Sequence, residues 1–250
     1  MIQKGVHIFL LKSGAVFFRF RNFLFPLFII VVLIFTKPAL FLGRSDVDVA
    51  VVILGFITAL TGVLLRLFVI GLAYIKRGGK DGRVYADDLV TGGVYAHVRN
   101  PMYVANFLAI VGIALIYGSV WAYIIVIPFF AYIYLSIVTA EEDYLRKHFG
   151  VQYEVYSKKV NRFIPDFSGL PQTLKQFSYD WKKAIRKDYG TSIGILVGCY
   201  ALWLCKSYYF YNLSQNKYRI IIVAAPLILL AILYLCARYL KKSGQLSSKT

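Results

Sequence analysis

Long apolar runs, interrupted only briefly by polar residues, make up most of this chain. A helix needs about 20 apolar residues to cross the roughly 30 Å hydrocarbon core of a bilayer. The third run has only about 15 residues and meets the fourth through Gly118 and Ser119, so these two are predicted to form a tight helical hairpin that either spans or re-enters the membrane. The simplest interpretation is six spans, at Phe23 to Leu42, Val49 to Ile75, Tyr103 to Tyr117, Ser119 to Thr139, Ile193 to Tyr211 and Ile220 to Leu240.

The composition also indicates a membrane protein. Of the 250 residues, 59% are hydrophobic and 16% are charged, which is more apolar than an ordinary soluble domain. We therefore expect an all-α fold, a polytopic bundle of transmembrane helices. The first 22 residues are interrupted by Lys12, Arg19 and Arg21, so the first apolar run is predicted to stay as an anchor and not to be a cleaved signal peptide.

The net charge of +17 is distributed unevenly along the chain. In a six-span topology, the basic residues before the first span, in the second and fourth connections and at the C-terminus all fall on one side. The positive-inside rule assigns that side and both termini to the cytoplasm, without distinguishing a bacterial inner membrane from the endoplasmic reticulum. This topology and anionic headgroups explain most of the positive charge, so the lipid bilayer is the predicted partner and nucleic acid is not.

A segment of different character divides the chain. From Pro171 to Lys187, apolar residues recur at helical spacing among five basic residues, as expected of an amphipathic helix in the membrane interface. We predict a four-span core at residues 1–165, an interfacial linker at 166–192 and a C-terminal transmembrane hairpin at 193–250.

The first of two polar motifs precedes the third apolar run. It reads TGGVYAHVRNPMYVAN, from Thr91 to Asn106. Pro101 disfavours helical conformation at Asn100 and is itself favoured in a first helical turn, so the third span is predicted to begin there. Free N–H groups at a helix start, beside Arg99, suit a carboxylate or phosphate. Taken alone, the tripeptide is more often an ordinary cap next to a positive-inside residue.

The second polar motif, EEDYLRKHFGVQYEVY, runs from Glu141 to Tyr156 and contains all three glutamates of the chain. Adjacent helical residues point about 100° apart, so at most one of Glu141 and Glu142 is expected to face a given ligand, and the other to pair with a basic residue. Tyr153 supplies a ring that could cover an adenine or pack on headgroups. The alternative is a set of acidic residues solvated where a helix leaves the membrane.

Arg66 lies inside the second apolar run, on one helical face with Gly55, Thr58 and Gly62. Its depth is about 13 Å at a rise of 1.5 Å per residue. Burying it costs roughly 2.5 to 3.5 kcal/mol, so a partner or a polar cavity is expected. The small residues allow close helix packing. A purely structural salt bridge or a local water defect is the alternative explanation.

In this order, Arg66, the two motifs and the apolar hairpin between them resemble the isoprenylcysteine carboxyl methyltransferase and phospholipid methyltransferase family of integral membrane enzymes. The resemblance covers about residues 60 to 165 and depends on the ordered pair of motifs. It implies that S-adenosylmethionine binds on the cytoplasmic side. It also implies that the methyl group passes, without a metal, to a lipid, isoprenoid or other amphiphilic acceptor entering from the bilayer.

The resemblance and the motifs together imply two sets of site residues. Arg66 would orient an anionic acceptor, and His97 is a candidate base for an amine acceptor. Asn100 stands where eukaryotic carboxyl methyltransferases have His, which weakens the transfer of a prenylcysteine substrate. The implied cofactor-binding residues are Tyr95, His97, Arg99, Asn100, Pro101, Tyr103, Glu141, Glu142 and Tyr153.

Two other functions stay open at this point. Membrane sterol and steroid reductases share a related pattern and would use NADPH for hydride transfer. The chain could also be a non-catalytic membrane scaffold or transporter subunit, in which Arg66 is a buried pairing residue. Binding of S-adenosylmethionine, of NADPH or of neither distinguishes the three.

Overall fold

The computed structural model describes residues 2–72, 77–80, 83–86 and 88–246 of the chain. Helices dominate it, which confirms the all-α prediction. Between the second and third helices, a short antiparallel hairpin pairs Arg77–Lys80 (β1) with Arg83–Ala86 (β2). The α-helices are α1 (Ile2–Phe35), α2 (Ser45–Leu72), α3 (Pro101–Tyr117), α4 (Ile127–Phe149), α5 (Val151–Lys159), α6 (Leu170–Gln176), α7 (Trp181–Phe210) and α8 (Arg219–Lys242).

Four of the described helices are long and apolar enough to cross a bilayer, namely α2, α4 with the helical turn that precedes it, α7 and α8. Helix α1 meets the same criterion only as two arms, Gly5–Arg21 and Phe23–Phe35, which are bent by 86°. Pro26 explains the bend, because its ring cannot accommodate the carbonyl four residues earlier. The first of the six predicted spans is therefore a bent helix that ends at Phe35 and not at Leu42.

Helix α3 begins at Pro101, as predicted, and its 17 residues make it shorter than the spanning helices. It ends at Gly118, which has a φ of 76° and so adopts a left-handed conformation that glycine reaches without strain. A π-helical turn at Ala122–Val126 then leads into α4. The structure thus contains the predicted helical hairpin of α3 and α4.

Helices α2 and α3 approach each other closely through small residues. A Cβ atom added to Gly62 would lie 2.6 Å from the Ala105 carbonyl oxygen. A Cβ atom added to Gly112 would lie 2.5 Å from the Ala59 nitrogen and 2.6 Å from the Gly55 carbonyl oxygen. The small-residue face predicted in the second span is therefore the contact surface with α3.

The segment predicted as one interfacial helix from Pro171 to Lys187 is interrupted. Helix α6 ends at Gln176, and α7 begins after Asp180, whose Oδ1 accepts the backbone N–H of Lys183 at 2.9 Å. The apolar residues keep helical spacing in α6 and in the first turns of α7, so the hydrophobic pattern did not reveal the break between these helices. Residue 192, where the predicted linker ends, lies inside α7, and the division into three parts stays a prediction.

Helix α7 packs on α2 and α3, whereas α8 packs mainly on α7. An ion pair fastens α7 to the N-terminal end of α2, where Lys206 Nζ lies 2.7 Å from Asp48 Oδ1 and both side chains are 0% exposed. The Tyr211 hydroxyl donates to Asp48 Oδ2 at 2.6 Å. Burial and the neighbouring carboxylate raise the pKa of Tyr211, which keeps its phenol protonated as a donor.

Because α2 and α3 approach each other closely, one methyl group added at their contact should destabilise the protein. Gly112→Ala should lower the free energy of unfolding by about 1 to 3 kcal/mol, because the added carbon pushes the two helices apart. Gly194→Ala in α7 is the matched control, since nothing lies within 4 Å of an added Cβ there. It should be neutral or stabilising by up to about 1 kcal/mol. Denaturant unfolding of the detergent-solubilised variants measures both, and equal destabilisation would contradict the packing described.

Candidate functional site

A cavity of about 560 Å³ lies where the ends of α3 and α4 that carry the polar motifs meet α1, α2 and α7. Its volume is in the range of small-molecule binding sites. The side chains around it are both polar and apolar. The polar lining residues are Arg21, Arg66, Tyr95, Arg99, Asn100, Tyr103, Asn106, Tyr134, Glu141 and Thr191, and the apolar ones are Phe18, Phe25, Ile70, Met102, Ala109, Ile110, Ile113, Ile137 and Ile195.

Tyr103 and Glu141 join α3 to α4 at the polar end of the cavity. The Tyr103 hydroxyl donates to Glu141 Oε1 at 2.6 Å, and both side chains line the cavity. Glu141 is buried within the bundle. A hydrogen bond to a buried carboxylate is stronger than one between neutral groups, so this contact fixes the position of the carboxylate.

Glu142 pairs with basic side chains behind the cavity. Its Oε1 accepts from Asn100 Nδ2 at 3.0 Å, and its Oε2 lies 3.1 Å from Arg162 Nε. Arg99 Nε lies 3.7 Å from Glu142 Oε1, which is an ion pair but not a hydrogen bond. The two glutamates thus divide as predicted from their angular separation, with Glu141 on the cavity and Glu142 paired with arginines.

Arg99 lines the cavity with its side chain 14% exposed. Its Nε is buried and makes no hydrogen bond in the described part of the chain. Its backbone N–H donates to the Asn161 carbonyl at 2.9 Å, which holds the start of α3 against the segment after α5. Arg99 therefore combines a fixed backbone with an unused guanidinium donor, as an anion-binding group requires.

Arg66 has a charged partner, as expected for a guanidinium group buried inside an apolar helix. Its Nε donates to Asp188 Oδ2 at 3.1 Å, its Nη2 pairs with Asp188 Oδ1, and its Nη1 donates to Asn106. The Ser192 hydroxyl donates to Asp188 Oδ2 at 2.7 Å. Both charged side chains are buried, so α7 supplies the charge that balances Arg66 within the bundle.

Sequence reasoning missed Asp188 and Asn106 as parts of this network. Asp188 lies 122 positions from Arg66 and inside the stretch interpreted as an interfacial linker. One signal was present, because Asp188 is the sole acidic residue of α7 and has Ser192 one helical turn further on. Such a lone acid in an apolar helix requires a cationic partner.

His97 does not line the cavity. Its Nδ1 lies 2.6 Å from the Asp166 carbonyl oxygen and its Nε2 lies 2.9 Å from Thr173 Oγ1. The Asp166 backbone N–H in turn donates to the His97 carbonyl at 2.9 Å. Both ring nitrogens are therefore engaged in holding residues 166–173 against the first motif, which leaves neither directed at a reacting group.

The remaining predicted residues also separate by position. Tyr95 lines the cavity, and its carbonyl accepts from the Tyr156 hydroxyl at 2.7 Å. Tyr153 is fully buried in an apolar cluster with Leu145 and Tyr156 and does not line the cavity. Pro101 is the first residue of α3 and does not line the cavity. The structure thus brings to one cavity Arg66, Tyr95, Arg99, Asn100, Tyr103 and Glu141.

Comparison with known families agrees with this geometry. Residues 49–152 match the family model described as phospholipid methyltransferase. This part of the chain is similar to phospholipid methyltransferases. It contains Arg66, Arg99 and the two glutamates, so the family segment supplies most of the polar lining of the cavity. The resemblance inferred from the two motifs is confirmed.

Three curated proteins are similar to parts of the chain. The protein-S-isoprenylcysteine O-methyltransferase of Schizosaccharomyces pombe is 38% identical over 77 residues, which are 31% of this chain and 33% of that protein. The nickel-cobalt-cadmium resistance protein NccN of Alcaligenes xylosoxydans xylosoxydans is 27% identical over 140 residues, 51% of this chain and 65% of that protein. The cobalt-zinc-cadmium resistance protein CzcN of Cupriavidus metallidurans is 27% identical over 143 residues, 55% of this chain and 62% of that protein.

The similarity is partial in every case. The chain spans a third of the length of the yeast enzyme and less than two thirds of each bacterial protein. No solved structure matches it significantly. Within the described ranges, no three His, Cys, Asp or Glu side chains form a group that could hold a metal ion. The relatives therefore support the family resemblance of residues 49–152, and the activities of the whole relatives remain theirs.

The charge of Glu142 predicts a measurable stability effect. Glu142→Gln leaves Arg99 and Arg162 without their carboxylate, so the free energy of unfolding should fall by about 3 kcal/mol. The neighbouring Asp143→Asn is the control, because its partner Lys147 is 74% exposed and such a surface pair contributes about 0 to 1 kcal/mol. Denaturant unfolding in detergent measures both variants. A Glu142→Gln protein as stable as Asp143→Asn would show that the paired charges are not needed.

Proposed function

We propose that this chain is an integral membrane methyltransferase that uses S-adenosylmethionine and methylates a lipid, isoprenoid or other amphiphilic acceptor. One observation carries the proposal. A single cavity is lined both by Arg99, Tyr103 and Glu141, which lie at the adjoining ends of α3 and α4, and by apolar side chains further along these helices, such as Ile113 and Ile137. The polar side chains of this cavity suit a charged cosubstrate, and its apolar side chains suit a hydrophobic acceptor bound next to it.

The residues present fit S-adenosylmethionine. The unused guanidinium donor of Arg99 suits its carboxylate, and the N-terminus of α3 adds a favourable dipole. The carboxylate of Glu141 suits its ammonium group or a ribose hydroxyl. The rings of Tyr95 and Tyr103 can face its adenine or its positive sulfur. Opposite charges thus stand at the same end of the cavity, as an amino acid group requires.

When bound, S-adenosylmethionine supplies a methyl group whose bond to sulfur breaks, with both electrons left on sulfur, as the acceptor atom bonds to the carbon. The side chains of the cavity bind and align the two partners, and alignment supplies much of the acceleration in such reactions. The apolar side chains of α1, α3 and α7 hold the hydrocarbon part of the acceptor and exclude water. Arg66, held by Asp188, orients the acceptor from the inner side of the cavity.

The choice of acceptor atom decides whether a base is needed. A carboxylate is ionised near neutral pH and is already a nucleophile, whereas an alkylammonium group must first lose a proton. His97 is engaged elsewhere and is not proposed as that base. Glu141 is the one carboxylate that lines the cavity in the described part of the chain. Following the positive-inside rule, we place the polar end of the cavity at the cytoplasmic surface.

Calorimetry with S-adenosylhomocysteine tests cofactor binding. The purified protein should bind it, and Arg99→Ala should weaken binding by about 1.5 to 3 kcal/mol, through loss of a charged hydrogen bond. Lys147→Ala is the control, because Lys147 is exposed on the outside of α4 and does not line the cavity. NADPH should give no heat of binding. Binding of NADPH alone would support a reductase, and binding of neither nucleotide would support a scaffold.

A further inference from the structure

Arg21 lines the cavity but has no carboxylate partner in the described part of the chain. The other two lining arginines are compensated, Arg66 by Asp188 and Arg99 by Glu142. The guanidinium carbon of Arg21 lies 4.4 Å from the centre of the Phe18 ring. A cation over an aromatic ring is attracted to it but keeps its charge. The charge of Arg21 is therefore available to a ligand.

The bend of α1 places this charge beside the apolar wall. Arg21 is the last residue of the first arm, and Phe25, just beyond the bend, also lines the cavity. The Phe25 ring packs edge-on against Tyr134, with ring centres 5.9 Å apart. Tyr134 also lines the cavity, so Arg21, Phe25 and Tyr134 belong to one wall that joins α1 to α4.

Among the residues that the structure describes, the charges in and behind the cavity do not balance. Four described guanidinium groups, of Arg21, Arg66, Arg99 and Arg162, stand against three described carboxylates, of Glu141, Glu142 and Asp188. An excess charge among apolar side chains is costly until an opposite charge enters. The proposed cosubstrate carries a sulfonium and adds positive charge. One acidic group on the acceptor would bring the site closer to neutrality.

We infer that Arg21 is a specificity-determining residue that binds an acidic group, a carboxylate or a phosphate, on the amphiphilic acceptor. The hydrocarbon of the acceptor then lies along Phe18, Phe25 and Ile137, which line the same cavity. The inference rests on the proposed function for the identity of this ligand as an acceptor. It adds a site residue from α1, outside the matched segment 49–152. Acceptors that carry only an ammonium group meet an unfavourable charge here.

Four probes with one hydrocarbon chain and different headgroups test the inference, namely dodecanoate, dodecyl phosphate, dodecanol and dodecylammonium. Their affinities are measured by calorimetry on the full chain in phosphatidylcholine nanodiscs. The wild-type protein should bind at least one of the two anions at least about tenfold more tightly than the alcohol or the amine, by the strength of a charged hydrogen bond. The tighter of the two anions shows whether the acidic group is a carboxylate or a phosphate.

Arg21→Gln should abolish this preference for anions, and Arg21→Lys should retain most of it. Arg19→Gln is the matched control, because Arg19 lies two residues away, is exposed, stacks on Phe20 and does not line the cavity. Its anion affinities should equal those of the wild type. Equal losses in Arg21→Gln and Arg19→Gln, or wild-type binding of dodecanol as tight as that of the anions, would overturn the inference.

Binding of S-adenosylhomocysteine separates this inference from the proposed function. The nucleotide should bind the wild type, Arg21→Gln and Arg19→Gln with the same affinity, because its proposed contacts are with Arg99, Tyr103 and Glu141 and not with Arg21. A protein that binds the nucleotide but shows no Arg21-dependent anion preference refutes the inference alone. A protein that keeps the Arg21-dependent preference but binds no nucleotide refutes the proposed function, and the anion site of Arg21 stands.

Discussion

A charge buried in an apolar helix bundle must be paired, and the pairings found here determine how the helices are arranged. Arg66 and Asp188 join α2 to α7 beside the cavity, and Asp48 and Lys206 join the same two helices at the other end. Glu142 joins α3, α4 and the segment after α5 through Asn100 and Arg162. The pairs of Arg66 with Asp188 and of Arg99 with Glu142 lie beside the cavity, since both arginines line it. Helix α8 contacts mainly α7.

The same constraint explains why the cavity is lined by both polar and apolar side chains. Polar side chains cluster where the two motifs meet, because there they satisfy one another, as Tyr103 and Glu141 do. Away from that end, rings and aliphatic side chains of α1, α3 and α7 face the cavity. Arg21 departs from the rule, since it lines the cavity, stacks on the Phe18 ring and pairs with no carboxylate of the described residues. An acidic amphiphile would complement this arrangement, because its anionic group can pair with Arg21 and its hydrocarbon can contact Phe18 and Phe25.

The sequence predicted those features that depend on local patterns. The start of α3 at Pro101, the hairpin of α3 and α4 and the small-residue face of α2 follow from neighbouring residues alone. The partner of Arg66 could not be predicted, because Asp188 is distant in sequence and stood in a segment that looked interfacial. The position of His97 outside the cavity could not be predicted for a related reason, since the contacts of its ring nitrogens with Asp166 and Thr173 are not revealed by any local pattern. The two motifs identified the site, and long-range contacts determined which of their residues face it.

In the proposed function, the polar ends of α3 and α4 form one cosubstrate pocket together with α2. The decisive experiment is a structure of the protein with bound S-adenosylhomocysteine. The ligand carboxylate should lie within hydrogen-bonding distance of the Arg99 guanidinium, with Glu141 on its ammonium or ribose side and the sulfur facing the apolar side chains. A ligand bound elsewhere, with the cavity between Arg99 and Glu141 filled by lipid or by side chains, would contradict it.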